Sequence, residues 1–244
     1  MKNTGVQSIG IKLPIIREGD NLTCIIEHAV LDAVNICNDE QGSIFDIQDK
    51  DVIGITESIV ARAQGNYVTI DDIVQFLNEM HISKNLILYS PIMSRNRFSM
   101  ILKAFARYAD FISIVLNGDY DEQGNPNFGI NQFTGVDIQK YYKELAAKEN
   151  CGLEFITNAL YPLIDKQWKG INFGETFIDC RCHPEEADQL TLKDIMCSAV
   201  TREDGSISGY NEDYGLLGSN KATEEKLKLF PRKEESQKLV EAIQ

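Results

Sequence analysis

The sequence predicts an α/β (α+β) protein with a mixed sheet and a Rossmann-like strand–helix–strand segment. Three observations carry this. Between Leu86 and Thr157, apolar runs of strand length alternate with stretches of helical periodicity. Elsewhere apolar residues recur at helical spacing, as in Leu22, Ile25, Ile26, Ala29 and Val30. Near the start, Val52, Ile53 and Ile55 form a short apolar run that feeds directly into a helical pattern stopped by Gly65. The chain reads as one compact unit over 1–244, or as two lobes, 1–84 and 85–244.

Taken in order, Val6 to Ile16 has strand character, and Pro14 confines its last residues to an edge or turn. Asp20 is a suitable N-cap for a helix to about Asn35. Asn38 to Lys50 is polar and turn-rich. The run at Val52–Ile55 predicts a buried strand, and Glu57 to Gln64 two helical turns with Ile59, Val60 and Ala63 packed down. Free amides at such a helix start attract anions, although on geometry alone an ordinary strand–helix connection is the favoured reading. Thr69–Asp72 opens a helix to Met80, with Ile73, Phe76 and Leu77 inward.

Leu86–Tyr89, Phe111–Leu116 and Leu153–Thr157 then read as strands. Between them lie a helix capped by Ser94 and reaching Tyr108, and a helix from Ile138 to Lys148. This order favours a parallel sheet with right-handed crossovers, whose ligands sit beyond the strand carboxyl ends. Phe177–Cys180 and Ile195–Val200 are further candidate strands. Ser206 to Lys221 reads as a glycine-studded loop, Thr223 to Leu229 as a helix ended by Pro231, and Lys233 to Ile243 as a final amphipathic helix.

Composition bounds the partners. The chain has 244 residues, 43% of them hydrophobic, enough for one sizeable core or two smaller ones. A net charge of −13 and a pI near 4.7 argue against nucleic acid and anionic membranes. No apolar run approaches the length a membrane helix needs, and the first residues lack the apolar core of a signal peptide. Six cysteines without framework spacing suit free thiols in the cytoplasm.

Several constellations carry possible chemistry. Ser94, Arg95 and Arg97 open a helix, where positive charge opposes the helix dipole unless an anion is shared; surface arginines bonded to carboxylates are the alternative. Gly215 to Thr223, with Ser219 and Lys221, is a second anion candidate or a solvated capped loop. It is not a P-loop, because Ala222 follows Lys221. Asp119–Asn125 looks like a calcium loop but has Ile130 where the closing acid belongs, which favours a polar turn, with a magnesium-assisting loop second. Cys180-Arg181-Cys182-His183 lacks a second pair at zinc spacing.

The stretch Gly10-Ile11-Lys12-Leu13-Pro14 through Gly19-Asp20-Asn21-Leu22, together with Lys50-Asp51-Val52 and Ala61-Arg62-Ala63-Gln64-Gly65, resembles the amino-terminal half of the coenzyme F-420-0:γ-glutamyl ligases. The chain departs from that pattern where Arg62 replaces the family's Lys, Ala61 its Ser and Gln64 its Glu. The resemblance implies the family's fold and a GTP- and metal-dependent ligase that adds L-glutamate to a carboxylate through an acyl phosphate. It implies nucleotide contacts at Leu13, Pro14, Glu57, Ser58 and Arg62, and a homodimer. It implies Mg2+ or Mn2+ held at Asp137, within Gly135-Val136-Asp137, and at Thr157 and Asn158, where the family's Asp-Thr pair lacks its Asp here. The departures leave a rival from another class, a non-catalytic nucleotide- or anion-binding regulatory module, and a third reading, a ligase or phosphotransferase for another carboxylate.

Overall fold

The structure, a computed structural model, describes residues 8–39, 47–82, 84–89, 96–116, 118–120, 124, 126–157, 169–172 and 190–243. Its contacts divide the chain into two units: residues 1–65 with 231–244, and residues 66–230.

The first unit is helical among its described residues. Helix α1 spans Leu22–Asp39, α2 Glu57–Ala63 and α6 Lys233–Ile243. Ile16, Leu22, Ile26 and Val60 form its core, with Leu13, Ile25, Ile59, Leu239 and Ile243 packed around them. The cap of α1 is Asn21, whose Oδ1 accepts the Cys24 N–H at 3.2 Å. Asp20, the residue expected there, instead accepts the Arg17 N–H at 2.6 Å. Two further expectations fail in this unit. Residues 8–16 and 51–56 contain no strand, and Val52 and Ile53 are exposed rather than buried, Val52 to 91%. A strand needs a laddered neighbour, and no described segment of this unit supplies one.

The second unit holds all the described sheet. Strands β2 (Asn85–Tyr89), β3 (Phe111–Leu116), β4 (Gly152–Thr157), β5 (Lys169–Asn172) and β6 (Leu190–Thr191) form a parallel sheet in the order β4-β3-β2-β5-β6. Strands β1 (Tyr67–Thr69), β7 (Asn220–Lys221) and β8 (Lys226–Lys228) form a separate antiparallel sheet in the order β1-β8-β7. Parallel and antiparallel pairings are thus segregated rather than combined in one mixed sheet.

Helices α3 (Ile70–Glu79) and α5 (Ile138–Lys148) bury one face each in the main core, while α4 (Phe98–Tyr108) is buried nearly all round, with only Lys103 and Arg107 partly exposed. At its centre, fully buried Phe98 meets Tyr142 edge-on at 5.0 Å. Helix α4 starts later than its expected cap: Arg97 holds the cap position, and Ser94 lies outside the described residues. Residues 195–200 are irregular although Ile195, Met196 and Val200 are buried, because Ile195 O is taken by the Leu216 N–H of a 3-10 turn. Residues 223–229 are not helical. Burial alternates through Lys226, Leu227, Lys228 and Leu229, the period of a strand, and the segment pairs with β1 as β8. The candidate strand at Phe177–Cys180 lies outside the described residues.

A reciprocal cap starts α3: Thr69 Oγ1 accepts the Asp72 N–H at 3.0 Å, and Asp72 Oδ2 accepts the Thr69 N–H at 2.7 Å. Both oxygens of buried Asp72 also accept from the Arg202 fork, each at 2.7 Å. Burial pushes the Asp72 carboxyl up, but the Arg202 fork and Thr69 outweigh this and hold it below the usual range. A depressed folded pKa stabilises above the unfolded value near 4 and is lost as pH falls through the folded one. Arg202→Ala is therefore expected to cost about 2–3 kcal/mol at pH 7, below the range for fully buried pairs because the Arg202 side chain is 33% exposed. Denaturant melts should show that difference shrinking as the pH falls below about 4.

Candidate functional site

The two motifs behind the family resemblance fold together in the first unit. The turn at Glu18–Gly19 carries the chain into α1, and Gly19 N–H donates to Ala63 O, at the end of α2, at 2.8 Å. Gly65 has φ +61, the left-handed conformation expected of the residue that stops α2. A Cβ there would lie 2.5 Å from Glu18 Oε1, so the absent side chain also lets the motifs close up.

A groove of about 370 Å3 lies along this junction. It is lined by Gly19–Thr23 at the start of α1, by Val60, Ala63 and Gln64, and by Glu235, Lys238 and Leu239 of α6. Gln64, in place of the family's Glu, is occupied structurally. Its Oε1 accepts the Arg232 N–H at 2.8 Å, and its carbonyl accepts from Arg232 Nη2 at 3.0 Å. The α6 residues were not legible as site residues, since their pattern was only that of an amphipathic helix. A second groove, of about 670 Å3, is lined by Ile9–Lys12, Pro14 and the Cys24–Ala33 face of α1.

The expected nucleotide contacts all belong to this unit. Leu13 is half-buried against its core, and Pro14 is exposed on the second groove. Glu57 and Ser58 form the first turn of α2, Glu57 exposed and Ser58 half-buried. Arg62 is exposed in the last turn of α2, where its charge favours the helix dipole, and forms no ion pair among the described residues.

The other candidates belong to the second unit. Asp137 is the N-cap of α5, accepting the Lys140 N–H at 3.1 Å. Thr157 ends β4, while Asn158 lies outside the described residues. No group of three or more His, Cys, Asp or Glu that could hold a metal occurs among the described residues. Arg97 reaches the segment that holds Ser219, a candidate read separately from the sequence. Arg97 Nη1 donates to Leu217 O at 2.8 Å, and burial draws its pKa below the ordinary value. Ser219, two residues further on, is buried, and its Oγ has no partner among the described residues. Lys221 pairs with Glu224. Ser94, Arg95 and the cysteine–histidine run at 180–183 lie outside the described residues.

A family model described as F420-0:Gamma-glutamyl ligase matches residues 10–244, and the chain belongs to that family. Neither the curated proteins nor the solved structures yield a match. The match extends the resemblance from the amino-terminal motifs to nearly the whole chain. No described helix is long and apolar enough to cross a membrane.

Because Gly65 adopts a left-handed conformation beside Glu18, Gly65→Ala is expected to destabilise by about 1–2 kcal/mol. Gly65→Asn should cost less, since Asn enters that region more readily. Thermal melts of the three proteins check the ranking.

Proposed function

With family membership as the premise, we propose that the chain is an amide-forming ligase. It adds L-glutamate to a carboxylate-bearing acceptor, coenzyme F-420-0 or a related compound, at the expense of GTP. The observation that carries this reading is the match across residues 10–244, with its two amino-terminal motifs joined through Gly19 and Ala63. A carboxylate oxygen of the acceptor takes the γ-phosphoryl group, forming an acyl phosphate and GDP. The glutamate amine then attacks the acyl carbon, phosphate departs and the amine gives up a proton, leaving an amide. Leu13, Pro14, Glu57, Ser58 and Arg62 are the proposed nucleotide contacts. The guanidinium of Arg62 is exposed and has no ion-pair partner among the described residues, which supports its part. Mg2+ or Mn2+ at Asp137, Thr157 and Asn158 is also proposed, but the described residues assemble no metal set, so this dependence rests on the resemblance alone.

One observation favours the rival, a regulatory module that binds nucleotide without turnover. Gln64, where the family has Glu, is engaged by Arg232 and holds the start of α6.

The order β4-β3-β2-β5-β6 reverses direction at β2, which supports a Rossmann-like sheet. Free thiols at Cys24, Cys151 and Cys197 support a cytoplasmic setting. A homodimer is supported by the first unit, where Ile15 is 80% and Val52 91% exposed on segments that have no strand partner among the described residues. Light scattering is expected to give twice the chain mass at micromolar concentration; a monomer mass throughout rejects the dimer.

Guanine nucleotide with Mg2+ or Mn2+ should raise the melting temperature, since ligand at about 100 times its Kd adds roughly 2.7 kcal/mol. Arg62→Ala is expected to remove most of that shift and leave the unliganded melt nearly unchanged. No shift with GTP at millimolar levels rejects the nucleotide site. A shift without phosphate release in the presence of glutamate and F-420-0 favours the regulatory module or a ligase for another acceptor.

A further inference from the structure

We propose that Cys24 is a site of covalent modification by small-molecule disulfides, with His28 as the hydrogen-bond donor to its sulfur. The proposal is independent of the ligase reading. Cys24 stands in the first turn of α1 and His28 one turn on, so the two are neighbours on one face of the helix. His28 Nδ1 lies 2.8 Å from Cys24 O and 3.3 Å from Cys24 Sγ. A carbonyl oxygen only accepts, so Nδ1 carries a hydrogen and the sulfur faces a donor rather than a lone pair. The same carbonyl holds the ring beside the thiol.

Access and position set this thiol apart. Cys24 is half-buried and lines the groove of about 670 Å3 together with Lys12, Ile25, His28 and Asp32, a space of the size that small molecules occupy. It also stands at the amino-terminal end of an 18-residue helix, the end that favours negative charge. A helix start and a neighbouring N–H donor are surroundings in which cysteines attack disulfides. The other thiols with described surroundings lack them. Cys151 is buried, and that burial, with Asp110 near it, pushes the thiol up to about 11. Cys197 is half-buried, and its thiol donates to Asp194 O at 3.3 Å.

The reaction is thiol–disulfide exchange. The Cys24 sulfur attacks one sulfur of a disulfide RS–SR; a new S–S bond forms as the old one breaks, and the electron pair of the old bond leaves with the second sulfur. That sulfur takes up the proton that Cys24 gives up. Cys24 is thereby oxidised to a mixed disulfide, and half of the reagent is reduced to RSH. A bridge within the unit does not compete. Its other cysteine, Cys37, lies about 20 Å further along α1, beyond the roughly 7 Å that a disulfide spans between Cα atoms.

The test treats the reduced full chain with oxidised glutathione and follows intact mass and peptide maps over time. The first glutathionyl group is expected on Cys24, added faster than to Cys24 of the urea-unfolded chain and released by dithiothreitol. His28→Ala should slow that step about tenfold, the rate equivalent of one hydrogen bond to a charged group. His28→Gln, which keeps an N–H donor, should recover part of the rate. Both variants should keep the wild-type melting temperature, because His28 is exposed. A first adduct on any other cysteine overturns the proposal, as does a folded chain that reacts at Cys24 no faster than the unfolded one. A His28→Ala variant that melts as the wild type and reacts at the wild-type rate overturns it too.

Discussion

The second unit depends on one buried amide. Asn66 is fully buried, and its Nδ2 donates to Tyr210 O at 2.8 Å and to Phe230 O at 2.6 Å. Its Oδ1 accepts the Tyr210 N–H at 3.1 Å, and its carbonyl accepts the Leu229 N–H at 3.0 Å. The first residue of the unit thereby binds the last, and the strand that follows it finds β8. Only a side chain with both donors and an acceptor satisfies these groups together; Asp or Leu there would leave buried backbone carbonyls unpaired. Gly209 completes the arrangement, since a Cβ would lie 2.6 Å from Tyr67 O and 2.7 Å from Asn66 Oδ1.

The first unit is held differently. Its core is small, and its loops are tied by single hydrogen bonds and by the pairing of Gln64 with Arg232. Site and stability therefore overlap: the turn that joins the family motifs is also what keeps α1 and α2 together. Gln64, which departs from the family pattern that the resemblance rests on, has an architectural part here through Arg232. That is why the same residue bears on both the ligase and the regulatory readings.

Local chemistry explains which elements were legible. Phe111–Leu116, Ile138–Lys148 and Lys233–Ile243 form as expected because each has one dominant period and a clear start or stop. The Thr69 cap was legible for the same reason. Lys226–Lys228 was misread because a two-residue alternation over so short a span is also compatible with one helical turn. The apolar runs near Ile15 and Val52 were misread because β-propensity describes a fit to a neighbouring strand, and the described part of that unit has none.

What the sequence by itself determined is local: helix periods, the Gly65 stop, the strand runs of the parallel sheet, and family motifs made of consecutive residues. Each is a property of neighbours along the chain, where spacing and side-chain type suffice. What only the tertiary structure decided is long-range. It returns 231–244 to the first unit, seats Arg97 on the Leu217 carbonyl and joins Asp72 to Arg202. Contacts across more than a hundred residues leave no period to read, because what selects them is the burial and hydrogen bonding of groups that meet only once the chain has folded.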